Sequence, residues 1–162
     1  RVLKAYSDYL KQSTQKLPLL IADLKGDVID QILEEENIRE IRSYIHAPGY
    51  IANTDLAALY CGAFAFLYPS LRESFGIPML EAMACGTPII AGNTSAMPEI
   101  AGEGALLADP FNSNDITKKI LQLENDQTLY QQQVEYGIQR SQLFSWRNTA
   151  ESLLKIYKEF AK

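Results

Sequence analysis

A single histidine, His46, and two widely spaced cysteines, Cys61 and Cys85, leave this 162-residue chain few ligands for a transition metal. No C-x-x-C pair is present, so a structural zinc site has no scaffold, and no metal is expected. Cations are also scarce. Fifteen Lys and Arg stand against twenty Asp and Glu, a formal net charge of -5. Surfaces that hold nucleic acid need the opposite balance, so that class of partner is excluded. No apolar run approaches the ~20 residues that span a bilayer, and no signal peptide is visible. Membrane association is therefore expected only through parts of the protein outside this sequence. The two cysteines are expected to be buried free thiols of a reducing compartment, and the expected location is cytoplasmic. The tripeptide at Asn93 matches a glycosylation acceptor, which matters only in a secreted protein. Internal repeats, low-complexity tracts and flexible linkers are absent as well.

What remains is ordinary globular material, 47% hydrophobic and 22% charged, enough for one domain with its own core. Short apolar runs alternate with helical patterns. Helical spacing marks residues 2–16; "KLPLLIAD" reads as a buried strand and "DVIDQILEEEN" as a helix. Tyr44-Ile45 reads as a short strand broken by Pro48-Gly49. Asn53, Thr54 and Asp55 open the next helix, "AFAFLYPS" is a strand, and Gly86 closes the helix that follows it. Thr87 to Ala91 and "GALLAD" give two further strands. From about residue 113 to 162 the pattern is helical, ending in a helix capped by Ser145 with Trp146, Leu153, Tyr157 and Phe160 on its expected buried face. This alternation predicts an α/β fold, a parallel sheet covered by helices on both faces. The chain begins with Arg1 rather than Met, and is read as one domain, 1–162, of a longer protein.

The stretch "ESFGIPMLEAMACGTPII" from Glu73 to Ile90 carries the chemistry. In open α/β sheets ligands sit at the carboxyl ends of strands, beside the following helix starts. Glu73 falls in such a loop, Gly76 allows close backbone approach, and Pro78 suits a first helical turn. The N–H groups around Phe75 to Ile77 are then free for an anion or a hydroxyl-rich ligand. Glu81, expected within about the first turn, is favoured there by ~0.3–1 kcal/mol. Ionised carboxylates only accept hydrogen bonds, which suits a vicinal diol. Two of them around a helix start can grip a nucleotide sugar, with its two diols and its phosphates. Spacing alone equally allows a solvated loop acid and a helix-dipole partner.

The segment Leu67 to Pro110 resembles the signature region of retaining GT-B glycosyltransferases of glycosyltransferase family 4. It carries E-x7-E at Glu73 and Glu81, F-G at Phe75-Gly76, the run Pro78 to Pro88, and P-E-x-A-G from Pro98 to Gly102. "GYIANTDLAALYCGAFAFLYPS" and "FSWRNTAESLLKIYKEF" are similar to that family too. The resemblance implies two Rossmann-like domains, of which this chain is the C-terminal, donor-binding one, with its first strand missing. It implies Glu81 on the ribose hydroxyls and Glu73, the catalytic carboxylate, on the donor sugar near its anomeric centre. The backbone of Ser74, Phe75, Gly76 and Ile77 is implied at the sugar or phosphate, and that of Ile51 at the base. The donor would be a UDP- or GDP-linked sugar, with no cofactor and no metal. The partner would be the missing N-terminal acceptor domain, and the fragment alone would be inactive. The family's Arg and Lys that clamp the diphosphate are missing from this sequence, and neither Arg72 nor His46 has a motif reason to replace a family residue. Ser74 stands where many relatives have glycine. A nucleotide-sugar epimerase of the same fold, or a non-catalytic interaction domain, remains the alternative.

Overall fold

The computed structural model describes residues 1–161. Helix α1 (Val2–Gln12) leads into β1 (Leu19–Ala22), α2 (Gly26–Glu35) and a 3-10 helix (Arg39–Tyr44), then β2 (Ile45–Gly49). Helix α3 (Asn53–Gly62), β3 (Phe66–Tyr68), α4 (Ile77–Ala84) and β4 (Ile89–Gly92) follow. The chain ends with α5 (Met97–Ala101), β5 (Leu106–Ala108), α6 (Ser113–Asn125), α7 (Gln127–Ser141) and α8 (Trp146–Phe160). All strand pairings are parallel, in the order β1-β2 and β3-β4-β5. The α/β expectation is met, with one difference. The ladders form two groups, and the outer edges of β1 and β3 pair with no strand among the described residues.

Each element follows from local chemistry. The four residues of β4 are all buried, which requires their continuous apolar sequence. Helices α6, α7 and α8 start at Asn112, Asp126 and Ser145, whose side chains accept the amides left open at a helix start. The chain enters β2 later than the sequence suggests. Residues 39–44 wind into the 3-10 helix, and Pro48-Gly49 complete the strand rather than break it.

Two apolar clusters fill the interior. Helices α1, α2 and α6 close one, around Tyr9, Ile29, Leu33, Ile90, Ile116 and Leu123. Met79, Met83, Ile89, Met97 and Ile100 form the other, beneath α4 and α5. Adjacent strand residues supply opposite clusters: Ile89 and Ala91 face the second, Ile90 the first.

Helix α8 corrects the sequence reading. Its apolar face is uncovered: Trp146 is 82% and Phe160 83% exposed, and Leu153 and Tyr157 are exposed too. Amphipathic periodicity shows that a face is apolar, not that it is covered. Removing Met83, which is 0% exposed, leaves a cavity under α4, so Met83→Ala should lower stability by about 2–5 kcal/mol. Trp146→Ala should change it by less than about 0.5 kcal/mol. Urea unfolding of both variants checks the contrast.

Candidate functional site

Strand β3 ends at Tyr68, and the chain then turns through Ser70 to Gly76 before α4 begins. Gly76 is the residue before the helix and takes a left-handed conformation, φ 95°. A side chain there would be strained and would press on Met97 Sδ. No side chain caps α4. The amides of Phe75, Gly76 and Ile77 make no hydrogen bond among the described residues. Unpaired amides at this helix start match the expectation from the sequence, with Phe75 and Ile77 exposed and Gly76 buried.

Glu73 is fixed at both its side chain and its backbone. The Tyr68 hydroxyl donates to Glu73 Oε1 at 2.8 Å, and the Ser70 hydroxyl to the same oxygen at 3.1 Å. Glu73 Oε2 has no partner among the described residues. The Glu73 amide donates to Ser95 Oγ at 3.3 Å, and the Ser95 hydroxyl donates to the Glu73 carbonyl at 2.7 Å. Thr94 Oγ1 lies 3.2 Å from the Leu71 carbonyl. The hydroxyls of the Asn93-Thr94-Ser95 tripeptide are thus spent on holding this loop. Beneath it, β4 passes so close that a Cβ on Gly92 would stand 2.6 Å from the Ser70 carbonyl oxygen.

Glu81 corrects an expectation. It is the fifth residue of α4, in the second turn rather than the first, and its neighbour is Tyr60 of α3. Tyr60 packs edge-on against Phe66, with ring centroids 5.2 Å apart, and Phe66 stacks on Tyr68 at 5.4 Å. Phe66 and Tyr68 share a face of β3, two residues apart. The result is a row, Glu81–Tyr60–Phe66–Tyr68–Glu73, with a carboxylate at each end. Burial first, then the adjacent Glu81, pushes the Tyr60 phenol up to about 12. Burial and the hydrogen bond to Glu73 raise that of Tyr68 as well. Both phenols stay protonated at neutral pH; Tyr68 donates to Glu73, and Tyr60 lies beside Glu81.

The remaining residues take simpler places. Ile51 is half-buried in the link from β2 to α3, and Ser74, Phe75 and Ile77 are exposed. The Phe75 ring meets Phe144 edge-on at 5.8 Å, and Arg140 lies over Phe144, tying the loop to the end of α7. Arg72 is exposed and forms no ion pair among the described residues. His46 is exposed and lines a hollow with Leu20, Arg42 and Pro48. The cysteines depart from the expectation of burial: Cys61, in α3, is exposed, and Cys85, just past α4, is half-buried. Tyr60, Tyr68, Ser70, Gly92 and Ser95 are the supporting residues that sequence reasoning missed. Tyr68 and Ser70 lie within five residues of Glu73, whereas Tyr60, Gly92 and Ser95 act through contacts that no local pattern signals.

Chemically, this surface offers two acceptor carboxylates and a set of free amide donors beside them. The class is settled by comparison. Residues 1–140 match the family described as glycosyl transferases group 1, and the chain belongs to that family. It is 34% identical over 160 residues to O-antigen chain mannosyltransferase B of Escherichia coli, covering 97% of this chain and 41% of that protein. It is 36% identical over 107 residues to a D-inositol 3-phosphate glycosyltransferase of Corynebacterium jeikeium, covering 65% and 26%. Among solved structures it is similar to Anabaena HepE in complex with UDP, with TM-score 0.81, 19% identity, and 96% and 44% of the two chains covered. It is also similar to the C-terminal domain of LpcC from Francisella tularensis, with TM-score 0.72, 26% identity and 87% and 75% covered. The fold is thus that of the C-terminal, Rossmann-like part of GT-B glycosyltransferases. This chain spans about two fifths or less of the curated relatives it matches.

Two outcomes check the site. Gly92→Ala should force Ser70 off Glu73 and cost about 1–3 kcal/mol in urea unfolding. The raised phenols should make stability pH-dependent. Between pH 10 and about 12 an unfolded Tyr60 is ionised while the folded one keeps its proton. The contribution of Tyr60 is therefore full below pH 10 and is lost as pH rises from there. Alkaline titration followed by phenolate absorbance should show one fewer late-ionising phenol in Tyr60→Phe, with a shallower loss of stability, while Tyr6 and Tyr68 still ionise late.

Proposed function

We propose that this chain is the donor-binding half of a retaining, nucleotide-sugar-dependent glycosyltransferase of family 4. The observation that carries the reading is the pair of carboxylates at the ends of one aromatic row, with unpaired amides of the α4 start between them in sequence. Glu81 accepts the ribose diol. Glu73 lies at the donor sugar, where its free Oε2 faces the anomeric centre and stabilises the positive charge that grows as the bond to the leaving diphosphate breaks. The amides of Phe75, Gly76 and Ile77 donate to sugar hydroxyls or phosphate. Ser74 contributes backbone beside them, and the Ile51 backbone meets the base.

The donor is a UDP- or GDP-linked sugar. Two kinds of neighbour support this: the Escherichia coli relatives are mannosyltransferases, and HepE was solved with UDP. The O-antigen relative supports a saccharide acceptor in polysaccharide synthesis. The acceptor domain, a further strand for the sheet and the cations that meet the diphosphate belong to the rest of the protein. No metal or other cofactor takes part in this reading, and the location is cytoplasmic.

Without the diphosphate cations, donor affinity is weak, on the order of millimolar, and transfer by this chain alone is negligible. Each charge-assisted hydrogen bond contributes about 1.5–3 kcal/mol, a tenfold to hundredfold factor. NMR titration with UDP, GDP and their sugars should shift amides of residues 73–81, with a preference for one base. Glu81→Ala should weaken binding at least tenfold. Shifts that persist unchanged in Glu81→Ala would overturn the assignment of Glu81.

A further inference from the structure

The two cysteines lie where helices α3 and α4 meet, and no part of the proposed donor chemistry uses them. The Cys85 sulfur is 3.8 Å from the Ala57 carbonyl oxygen. Ala57 stands one turn before Cys61 in α3, so that carbonyl lies beside the Cys61 backbone. The Thr87 hydroxyl bonds the Tyr60 carbonyl at 2.6 Å, bringing the chain just beyond Cys85 against the residue before Cys61. The helices are therefore pinned on either side of the thiols. Cys61 is exposed and α3 contains no buried residue, so an oxidant reaches this sulfur from solvent. Among the described residues no cluster of three metal-ligating side chains occurs, which leaves thiol chemistry rather than metal binding.

We propose that Cys61 and Cys85 are a modification site, a thiol pair that a peroxide closes into a reversible disulfide bracing α3 against α4 beside Glu81. The exposed Cys61 reacts first. Its thiolate takes one oxygen from hydrogen peroxide, becoming a sulfenic acid and releasing hydroxide. The Cys85 sulfur then attacks the Cys61 sulfur, the S–O bond breaks, and the hydroxyl leaves as water with the Cys85 proton. Two thiols are oxidised and one peroxide is reduced to two waters. Burial, with Cys61 and Glu81 nearby, raises the Cys85 thiol, which fits Cys85 as the slower, resolving partner. Such disulfides in reducing compartments are transient, and thiol reductants reverse them.

The bond would close a loop of chain from 61 to 85 that contains Glu81 and begins next to Tyr60. Its ends are the residue after Tyr60 and the residue one turn past Glu81. Oxidation thus acts on one end of the carboxylate row while Glu73, at the other end, keeps its own hydroxyl contacts.

The test treats the reduced chain with equimolar hydrogen peroxide, alkylates remaining thiols, and maps peptides by mass spectrometry. The expected product is a monomer lighter by two hydrogens, with a Cys61–Cys85 cross-linked peptide pair that dithiothreitol releases. Its thermal midpoint should be raised, and the Tyr60 and Glu81 amides should shift in NMR spectra. Cys85→Ala, which keeps a small apolar group at that place, should instead trap sulfenic acid or an intermolecular dimer at Cys61. Oxidation confined to Cys61 in the unmodified chain, with Cys85 still open to alkylation, would overturn the proposal. No nucleotide enters this measurement, so its outcome is independent of the donor-site titration.

Discussion

The approach of Gly92 to the Ser70 carbonyl fixes how the loop after β3 can sit. Any side chain at 92 would occupy the space of that oxygen, so β4 and the loop meet backbone to backbone. From this contact the rest is built outward. Ser70, held down, turns its hydroxyl to Glu73, and Ser95 holds the Glu73 backbone through two further bonds. Gly76 then turns the chain into α4 through a left-handed residue. One carboxylate and the unpaired amides of exposed Phe75 and Ile77 and of buried Gly76 are left in a geometry set by hydrogen bonds within the protein. A ligand that binds there meets donors already in place, which reduces the ordering that binding requires.

Helix α4 carries the second carboxylate and joins it to the first through side chains rather than backbone. Its buried face, Met79, Ala82 and Met83, seats it on the second apolar cluster. That seating sets Glu81 against Tyr60. The phenols at the two ends of the aromatic row stay protonated because they are buried and because each faces a carboxylate. Packing and electrostatics therefore act together. The same rings that pack beside α4 supply the Tyr68 hydroxyl that orients Glu73, as polar ends of large apolar bodies often do.

Much of the architecture was legible from the chain. Continuous burial of a parallel strand requires a run such as Ile89 to Gly92, and the cap at Ser145 follows from side-chain reach. The position of Gly76 before a helix beginning Ile77-Pro78 was legible for the same reason. Other features depend on contacts distant in sequence. That Ser95 would serve Glu73, 22 residues away, or that Tyr60 would face Glu81, has no local signature. Glu81 fell just past the first turn, as the fifth residue of the helix that begins at Ile77. The cysteines were misplaced because apolar flanking sequence signals burial only where both faces of an element are covered, and α3 buries no residue. Helix α8 failed for the same reason, since periodicity does not say what covers a face.

The central claim is that Glu73 and Glu81 hold the two sugars of one nucleotide-sugar donor. A crystal structure of the chain soaked with a nucleoside diphosphate sugar tests it most directly. The account predicts ribose hydroxyls on Glu81, the transferred sugar beside Glu73 Oε2, and amides of Phe75 to Ile77 on the sugar or phosphate. A donor seated instead in the hollow beside His46, or with its ribose away from α4, would contradict it.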